Sequence, residues 1–493
     1  MTLEQLIALC NPIRVSGPQP AKIGALTQDS REVTGGSVFI AVKGTRVDGH
    51  KFIDDAISCG AGVIICEEVV SHKQNVCFVE VKDTRSLIGP LAQAFQNNPA
   101  KHLTLIGITG TNGKTTVATL VYQVLAQLGA RPALLGTIEK RFGDEVMDSR
   151  LTTSDPIELA RDMRRMAEVG STHLVMEVSS HALEQQRTAG LDFAVAAFTN
   201  LSHDHLDYHS GFEDYAQTKK LLFDGLRSDA HAVINADDRY AELMTEDCSA
   251  QVTKFGFLED AGIPCRVISS TTEGLTLTIG RTEITSPLVG TFNAYNIAEA
   301  FIICRTLGYE ETAVAVALSS AAGAAGRMER ILFEDTGAPV VLVDYAHTPD
   351  ALENVLVTLS ELKTEDQILH VVFGCGGNRD KAKRPKMASV SEKYADRVTI
   401  TSDNPRDEDP DAIIDDAMKG FRYPDSIIRI SNRKEAIEQA VAKADTNTIL
   451  LIAGKGHETY QEINGVRRHF DDREIARKAL GEPAANTSPE GGV

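Results

Sequence analysis

The sequence predicts an α/β protein of three consecutive domains built on open, mostly parallel sheets. Short apolar runs that read as buried strands alternate with helical stretches along most of the chain. In the last third these runs end in Gly, Asp, Asn or His, residue types suited to ligand-bearing strand tips. One stretch, GITGTNGKTT at residues 107–116, joins a strand run to a helical run through glycines.

The elements follow in order. In residues 1–98, SVFIAV (37–42) and GVIICEE (62–68) read as strands, and HKFIDDAISCG between them reads as a helix ending at glycine. QNNPA (96–100) breaks the preceding helix and serves as a linker. In residues 99–329, HLTLIGITG is a strand entering the glycine-rich loop, and KTTVATLVYQVLAQLG is the helix leaving it, stopped by Gly129. THLVMEVSS (172–180), FAVAAFTNLS (193–202) and AHAVINADD (230–238) continue the sheet. Residues 269–290 alternate with turn residues between runs, which predicts a small antiparallel excursion. In residues 330–493, PVVLVDYAHTP (339–349), LHVVFGCGG (369–377), DRVTITSDNP (396–405) and TILLIAGKG (448–456) are further buried strands. The segment 481–493 is expected to be disordered.

Bulk properties exclude several function classes. A net charge of −19 argues against general nucleic-acid binding, which needs a basic surface. No run approaches the ~18 apolar residues of a membrane span, and MTLEQLIALCNPIR lacks the basic start and apolar core of a signal peptide. Eight scattered cysteines with no C-x-x-C pair favour reduced, mostly buried thiols in a cytosolic protein.

The loop at 107–116 departs from the usual G-x-x-x-x-G-K-[ST] spelling, because the first glycine position is Ile108 and the glycines stand at 107, 110 and 113. The physics of a cradle is nevertheless present. Backbone N–H groups converge at a helix N-terminus, where the partial positive charge suits phosphate. Lys114 can reach terminal phosphates, and the Thr115 hydroxyl can ligate Mg²⁺. Glu177 in MEVSSH and His205 in NLSHDHLDYH stand at later strand tips as further candidate metal ligands.

GITGTNGKTT, MEVSSH, TNLSHDHLDYH, INADD, GTFNAYN, GRMER, VDYAHTPD and AGKGHE occur in that order. Together they resemble the Mur ligase family over nearly the whole chain. The resemblance implies a UDP-binding α/β N-terminal domain, a central P-loop ATPase domain and a Rossmann-like C-terminal domain. It implies that Gly110, Thr111, Asn112, Gly113, Lys114, Thr115 and Thr116 cradle ATP. It further implies that a substrate carboxylate attacks the γ-phosphate, and that an amine displaces phosphate from the resulting acyl phosphate.

Family roles carry over by residue. Thr115 and Glu177 resemble ligands of one Mg²⁺ and His205 a ligand of a second. Lys219 aligns with a lysine carbamylated by CO₂, its neighbour Lys220 being the competing choice. Asn293 and Asn296 resemble adenine-side residues, Arg327 an arginine reaching the phosphates, and Asp344 and His347 groups closing over the nucleotide. Gln28, Ser30, Thr45, Arg46 and Val47 match the uridine end. Thr152, Thr153, Ser179, Gln185 and Arg187 match positions along the muramoyl dipeptide, although Leu151 replaces a family asparagine.

Asp403-Asn404-Pro405-Arg406 matches the D-N-P-R motif of the diaminopimelate-adding members, and lysine-adding members lack this arginine. An arginine fork suits the second carboxylate that distinguishes diaminopimelate from lysine. Arg379, Gly454 and Glu458 match the remaining contacts, Glu458 suiting the distal ammonium. The implied substrates are UDP-N-acetylmuramoyl-L-alanyl-D-glutamate and meso-diaminopimelate, with ATP and Mg²⁺. The expected protein is a cytoplasmic monomer with no nucleic-acid or membrane partner. The rival readings are another ATP-dependent amino-acid ligase of the same fold, of the lysine-adding or folylpolyglutamate type, and a protein using ATP only to regulate its shape.

Overall fold

The computed structural model describes residues 1–44, 47–69, 75–202, 211–259, 261–333 and 338–481. The chain divides into two compact units, Met1–Pro264 with Glu299–Val314, and Cys265–Ala298 with Ala315–Val493.

The first unit contains two sheets. Strands Leu26–Thr27, Val38–Ile40, Val63–Cys66 and Cys77–Glu80 pair in parallel, and Arg14–Ser16 adds an antiparallel edge. The fully buried run Val63–Cys66 explains the continuous apolar sequence, because helices cover both faces of a parallel sheet. The first helix, Leu3–Cys10, starts with a capping box in which Thr2 and Gln5 satisfy each other's backbone N–H groups at 3.2 and 2.9 Å. The sequence-predicted helix after Val38–Ile40 is a 3₁₀ turn, Gly49–Phe52, running into Ile53–Ser58.

The larger sheet of this unit has the order Gln251–Gly256, His231–Asn235, Phe193–Phe198, Thr104–Thr109, His173–Glu177, Pro132–Leu135, all parallel. An antiparallel pair, Glu139–Phe142 and Glu145–Asp148, finishes one edge. From the central strand Thr104–Thr109 the chain moves to one side, then crosses to Phe193–Phe198 on the other. Ligands bind at such a reversal of strand order, at the carboxyl ends of the strands. Helices Thr84–Phe95 and Pro156–Glu168 meet, with Gln93 Nε2 donating to Met163 Sδ at 3.2 Å.

In the second unit, Val340–Asp344, Thr448–Ala453, Ile368–Cys375, Arg397–Ser402 and Ile428–Arg429 form a parallel sheet, with Glu329–Ile331 antiparallel at one edge. All six residues of Thr448–Ala453 are buried. The expected antiparallel excursion is present but starts before residue 269, as Ile263–Thr271, Gly274–Ile279 and Thr282–Ser286, its first two residues belonging to the first unit. A hairpin, Tyr460–Ile463 with Val466–His469, stands apart as its own two-stranded sheet. All eight cysteines are free thiols, and burial pushes those of Cys10, Cys66 and Cys375 up to about 12.

The strand THLVMEVSS is shorter than its apolar run suggests. It stops at Glu177 because Ser179 caps the next helix, its hydroxyl accepting from Ala182 N–H at 3.2 Å. This leaves Glu177 as the last residue of its strand.

Candidate active site

The glycine-rich loop leaves strand Thr104–Thr109 and enters helix Lys114–Gln127. Gly107 lies inside the strand, where a Cβ would stand 2.8 Å from the Phe193 ring. It serves packing, so the cradle begins at Gly110. Ile108, at the position of the usual first glycine, is a buried strand residue paired between Glu177 and Ala197. Gly110 takes φ +143°, and a Cβ there would meet Thr199 Oγ1 at 1.9 Å. Gly113 takes φ +88° at the helix N-cap.

The segment after strand Phe193–Phe198 holds the loop in place. Thr199 Oγ1 donates to Asn112 O at 2.6 Å, Thr111 N–H to Asn200 O at 2.8 Å, and Asn112 N–H to Asn200 Oδ1 at 3.1 Å. The Thr111 hydroxyl lies 3.1 Å from Tyr215 OH. Lys114 Nζ donates to Gly110 O and Thr111 O at 2.9 and 2.8 Å, within the concavity that a phosphate would enter. The buried Lys219 also reaches this loop, its Nζ donating to Gly110 O at 2.9 Å and lying 4.5 Å from the Tyr215 ring centroid. Lys220 turns away to Asp224 and Asp247.

Beside the loop, Glu177 gathers three donors. Thr115 Oγ1 lies 3.0 Å from both carboxylate oxygens, Thr137 N–H donates to Oε1 at 2.7 Å, and Thr137 Oγ1 donates to Oε2 at 3.0 Å. Gly136 is required here, since a Cβ would stand 2.5 Å from Glu177 Oε1. Hard oxygens about 2.9 Å apart are what two adjacent ligands of octahedral Mg²⁺ present at bond lengths of about 2.0–2.1 Å. The Thr115–Glu177 pair therefore fits that ion. His205, Thr45 and Arg46 lie outside the described residues.

The same carboxylate leads to a polar wall. Thr137 Oγ1 bonds Thr152 Oγ1 at 3.1 Å, and Thr153 Oγ1 donates to Glu177 O at 2.9 Å and accepts from Ser179 N–H at 3.1 Å. Arg187 donates to Thr153 O at 2.7 Å and to Gln185 Oε1 at 2.7 Å. Leu151 is 44% exposed at the end of this wall. In the N-terminal sheet, Gln28 and Ser30 follow strand Leu26–Thr27 and Val47 follows Val38–Ile40, the same ends of two parallel neighbours.

In the second unit, the buried Asn296 donates to Asn293 Oδ1 at 2.8 Å, and Asn293 donates to Val289 O at 2.8 Å. The buried Asp344 carboxylate accepts from Met328 and Ala346 N–H at 2.7 and 2.8 Å. Burial pushes its acid up, against the pull of Arg327. Arg327 lies over the Tyr345 ring at 4.8 Å, and its buried Nε finds no acceptor among the described residues. His347 and His457 also pack on Tyr345, with centroids 4.5 and 4.9 Å away.

Residues 403–406 form a turn strapped by the hairpin. Arg406 sits at φ +51°, its N–H bonded to Glu462 O at 3.0 Å and its carbonyl accepting from Asn464 N–H at 2.7 Å. Its guanidinium donates to Gly377 O at 2.7 Å through Nη1, and its other N–H groups meet no acceptor among the described residues. Arg379 is exposed on the neighbouring loop. Pro405 and Gly377 are in tight contact, a Cβ on Gly377 meeting Pro405 O at 1.9 Å. Glu458 Oε2 accepts from Asn404 Nδ2 at 2.8 Å and from Lys455 Nζ at 2.9 Å. Gly454 has φ +121°, and a Cβ would stand 2.7 Å from Asp403 Oδ2. Beneath these strand ends, the fully buried pair Arg433–Asp472 closes at 2.6 Å, and Arg433 also donates to Ala453 O and Ser402 O at 3.0 and 3.4 Å.

Family models match three stretches: the Mur ligase family catalytic domain at residues 22–98, the Mur ligase middle domain at 108–304, and the Mur ligase glutamate ligase domain at 326–456. A protein of Cytophaga hutchinsonii named UDP-N-acetylmuramoyl-L-alanyl-D-glutamate–2,6-diaminopimelate ligase is 44% identical over 97% of this chain and 99% of its own. The chain belongs to the Mur ligase family. A protein of the same name from Bacillus licheniformis is 40% identical over 97% of this chain and 99% of its own. A solved structure titled with that ligase name superposes with a TM-score of 0.72 at 33% identity, covering 97% of this chain and 99% of its own.

In this Mur ligase the first unit gathers the phosphate loop, Thr115, Glu177, Lys219 and the wall Thr152–Arg187. The second carries the Asn293–Asn296 pair, the Arg327–Asp344–His347 group and the Asp403–Glu458 pocket. Thr137, Lys455 and His457 are among the residues of these clusters that went unread in the sequence. Thr137 is an isolated threonine with no local signal. Lys455 and His457 lie within the quoted AGKGHE motif, but their contacts depend on distant residues.

Proposed function

We propose that this ligase uses ATP to join meso-diaminopimelate to the D-glutamyl carboxylate of UDP-N-acetylmuramoyl-L-alanyl-D-glutamate, a step in building peptidoglycan precursors. The observation that carries the reading is Arg406. It sits in a D-N-P-R turn with N–H groups that meet no acceptor among the described residues, in a chain 44% identical over 97% of its length to a relative bearing this ligase name.

The carboxylate is a poor electrophile, so its oxygen first attacks the γ-phosphorus and ADP leaves. The amine nitrogen then attacks the acyl carbon, the C–O bond to phosphate breaks, and the amine releases a proton. Gly110–Thr116 cradles the triphosphate, and Lys114 swings from Gly110 O and Thr111 O onto its terminal oxygens. Thr115 and Glu177 would hold Mg²⁺, which when bound supplies charge neutralisation between two anions. Lys219, whose Nζ lies at Gly110 O, would be carbamylated by attack of its neutral amine on CO₂ with loss of a proton. Thr152, Thr153, Ser179, Gln185 and Arg187 line the dipeptide, and Gln28, Ser30, Thr45, Arg46 and Val47 the uridine end. Asn293 and Asn296 face adenine, and Arg327, Asp344 and His347 close on the nucleotide.

Arg406 and Arg379 bind the distal carboxylate of the amine substrate. Asp403, Asn404 and Glu458 orient its ammonium, and Gly454 and Pro405 shape the walls. Three domains, 1–98, 99–329 and 330–493, divide these tasks. The reaction belongs in the cytoplasm, where both nucleotides are available; no described helix is long and apolar enough to cross a membrane.

The test is ADP release in the presence of the UDP-linked dipeptide with diaminopimelate, lysine or no amine. Release that requires diaminopimelate is the expected result. Equal release with lysine would make this a lysine-adding enzyme, and release without any amine would remove the ligase reading.

A further inference from the structure

We infer that Lys455 is a positioning residue for the incoming amino acid: it locks Asn404 and Glu458 so that one carboxylate oxygen stays open for the substrate's ammonium. The inference rests on the amine-ligase reading above.

The Lys455 side chain is 0% exposed. A buried ammonium is costly unless it is paired and hydrogen-bonded. Here its Nζ donates to Glu458 Oε2 at 2.9 Å and to Asn404 Oδ1 at 3.2 Å, and it lies 5.4 Å from the Tyr460 ring centroid. Asn404 Oδ1 also accepts from Glu462 N–H at 3.0 Å. Two donors on one side fix the amide: its oxygen faces Lys455 and Glu462, and its nitrogen must face Glu458. That nitrogen donates to the same Oε2 at 2.8 Å.

The result is an asymmetric carboxylate. Oε2 carries two donors, while Oε1 accepts from no described residue and the side chain is 19% exposed. An open anionic oxygen of fixed direction is a receptor for one more cationic N–H. The same hairpin residue that bonds Asn404 through its N–H bonds Arg406 N–H through its carbonyl, so the ammonium receptor and the guanidinium share one support. That arrangement suits a zwitterionic substrate with separated charges.

Lys455 would act on binding of the remote end of the substrate, not on the reacting bond. Interactions equal in ground and transition states change KM and leave kcat. The full-length protein, Lys455→Gln and Lys455→Met are compared by steady-state ADP release, with each substrate varied in turn. The inference predicts a rise of about tenfold or more in KM for diaminopimelate in both variants. It predicts kcat at saturation within about threefold, and KM values for ATP and the UDP-linked dipeptide unchanged. An unaltered diaminopimelate KM overturns it. So does a parallel loss in kcat and all three KM values, or failure of both variants to fold, each of which assigns Lys455 to the core alone. Absence of diaminopimelate-dependent release in the unsubstituted protein would instead sink the functional reading.

Discussion

The loop Gly110–Thr115 and the pocket around Arg406 are both suited to anions, but they are assembled differently. The loop is made of backbone N–H groups at a helix start, and its shape depends on glycine torsions and on the braces Thr199 and Asn200. The Arg406 pocket is made of charged and polar side chains held by separate partners: Lys455 by Glu458, Asn404 by Lys455 and the Glu462 N–H, and Arg406 by the hairpin at its backbone and by Gly377 O at its guanidinium. A backbone cradle suits any triphosphate. A side-chain network can discriminate between amino acids that differ by one carboxylate.

Perturbing each region separately should keep the two functions apart. The largest effect on nucleotide use is expected from Gly110→Ala. Its Cβ would collide with Thr199 Oγ1 at 1.9 Å in a torsion alanine disfavours. ATP-dependent ADP release should fall by about a thousandfold or more, as expected when preorganised phosphate contacts are lost. Nucleotide titration should show the loss as weakened binding; unchanged affinity would mean that the loop tolerates displacement.

Thr137→Val should have a smaller effect. Among the described residues it leaves Glu177 with Thr115 alone as a side-chain donor, and it cuts the link to Thr152. The expected result is a loss of about 10- to 100-fold in activity, typical for groups that orient metal ligands, with a raised Mg²⁺ requirement. Mg²⁺ titration by calorimetry supplies a readout independent of turnover. An unchanged Mg²⁺ dependence would show that Thr115 suffices to orient the carboxylate.

A further effect concerns stability and not activity. Burial depresses both His370 and His457 to about 4. The unfolded chain therefore binds more protons than the folded one between the ordinary value near 6.5 and about 4. Stability from these groups is complete above about 6.5 and is lost as pH falls through that window, by about 3 kcal/mol for each histidine. Urea unfolding followed from pH 7 to pH 4 should show the decline. His370→Phe should remove about half of it, because His457 still titrates; His370 Nδ1 is buried with no hydrogen-bond partner among the described residues. The same slope in the variant would place the titration elsewhere.

The same contrast governs what could be read from the sequence. The phosphate loop, its strand and its helix are contiguous, so GITGTNGKTT disclosed them directly, although Gly107 proved to be a packing residue under Phe193. The tips at Glu177, Asp344 and Gly454 were visible because buried parallel strands are continuous apolar runs. The pocket around Arg406 was visible through the family motif alone. Its braces lie far apart along the chain: Arg433 meets Asp472 across 39 residues, and Asn404 meets Glu458 across 54. One local signal was available and unused. Asn464-Gly465 stands between YQEI and VRRH, and Asn-Gly between short strands marks a hairpin with positive φ at both turn residues. They adopt +50° and +73°.

The separation of the two regions is tested most directly by Arg406→Ala, assayed with diaminopimelate and lysine side by side at varied ATP. In the unsubstituted protein diaminopimelate should be preferred by about 10⁴-fold in kcat/KM, as for sites that would otherwise bury an unpaired polar group. In the variant the preference should collapse through loss of the diaminopimelate rate, while KM for ATP stays the same. An Arg406→Ala enzyme that keeps its preference for diaminopimelate, or loses ATP binding along with it, would contradict the account.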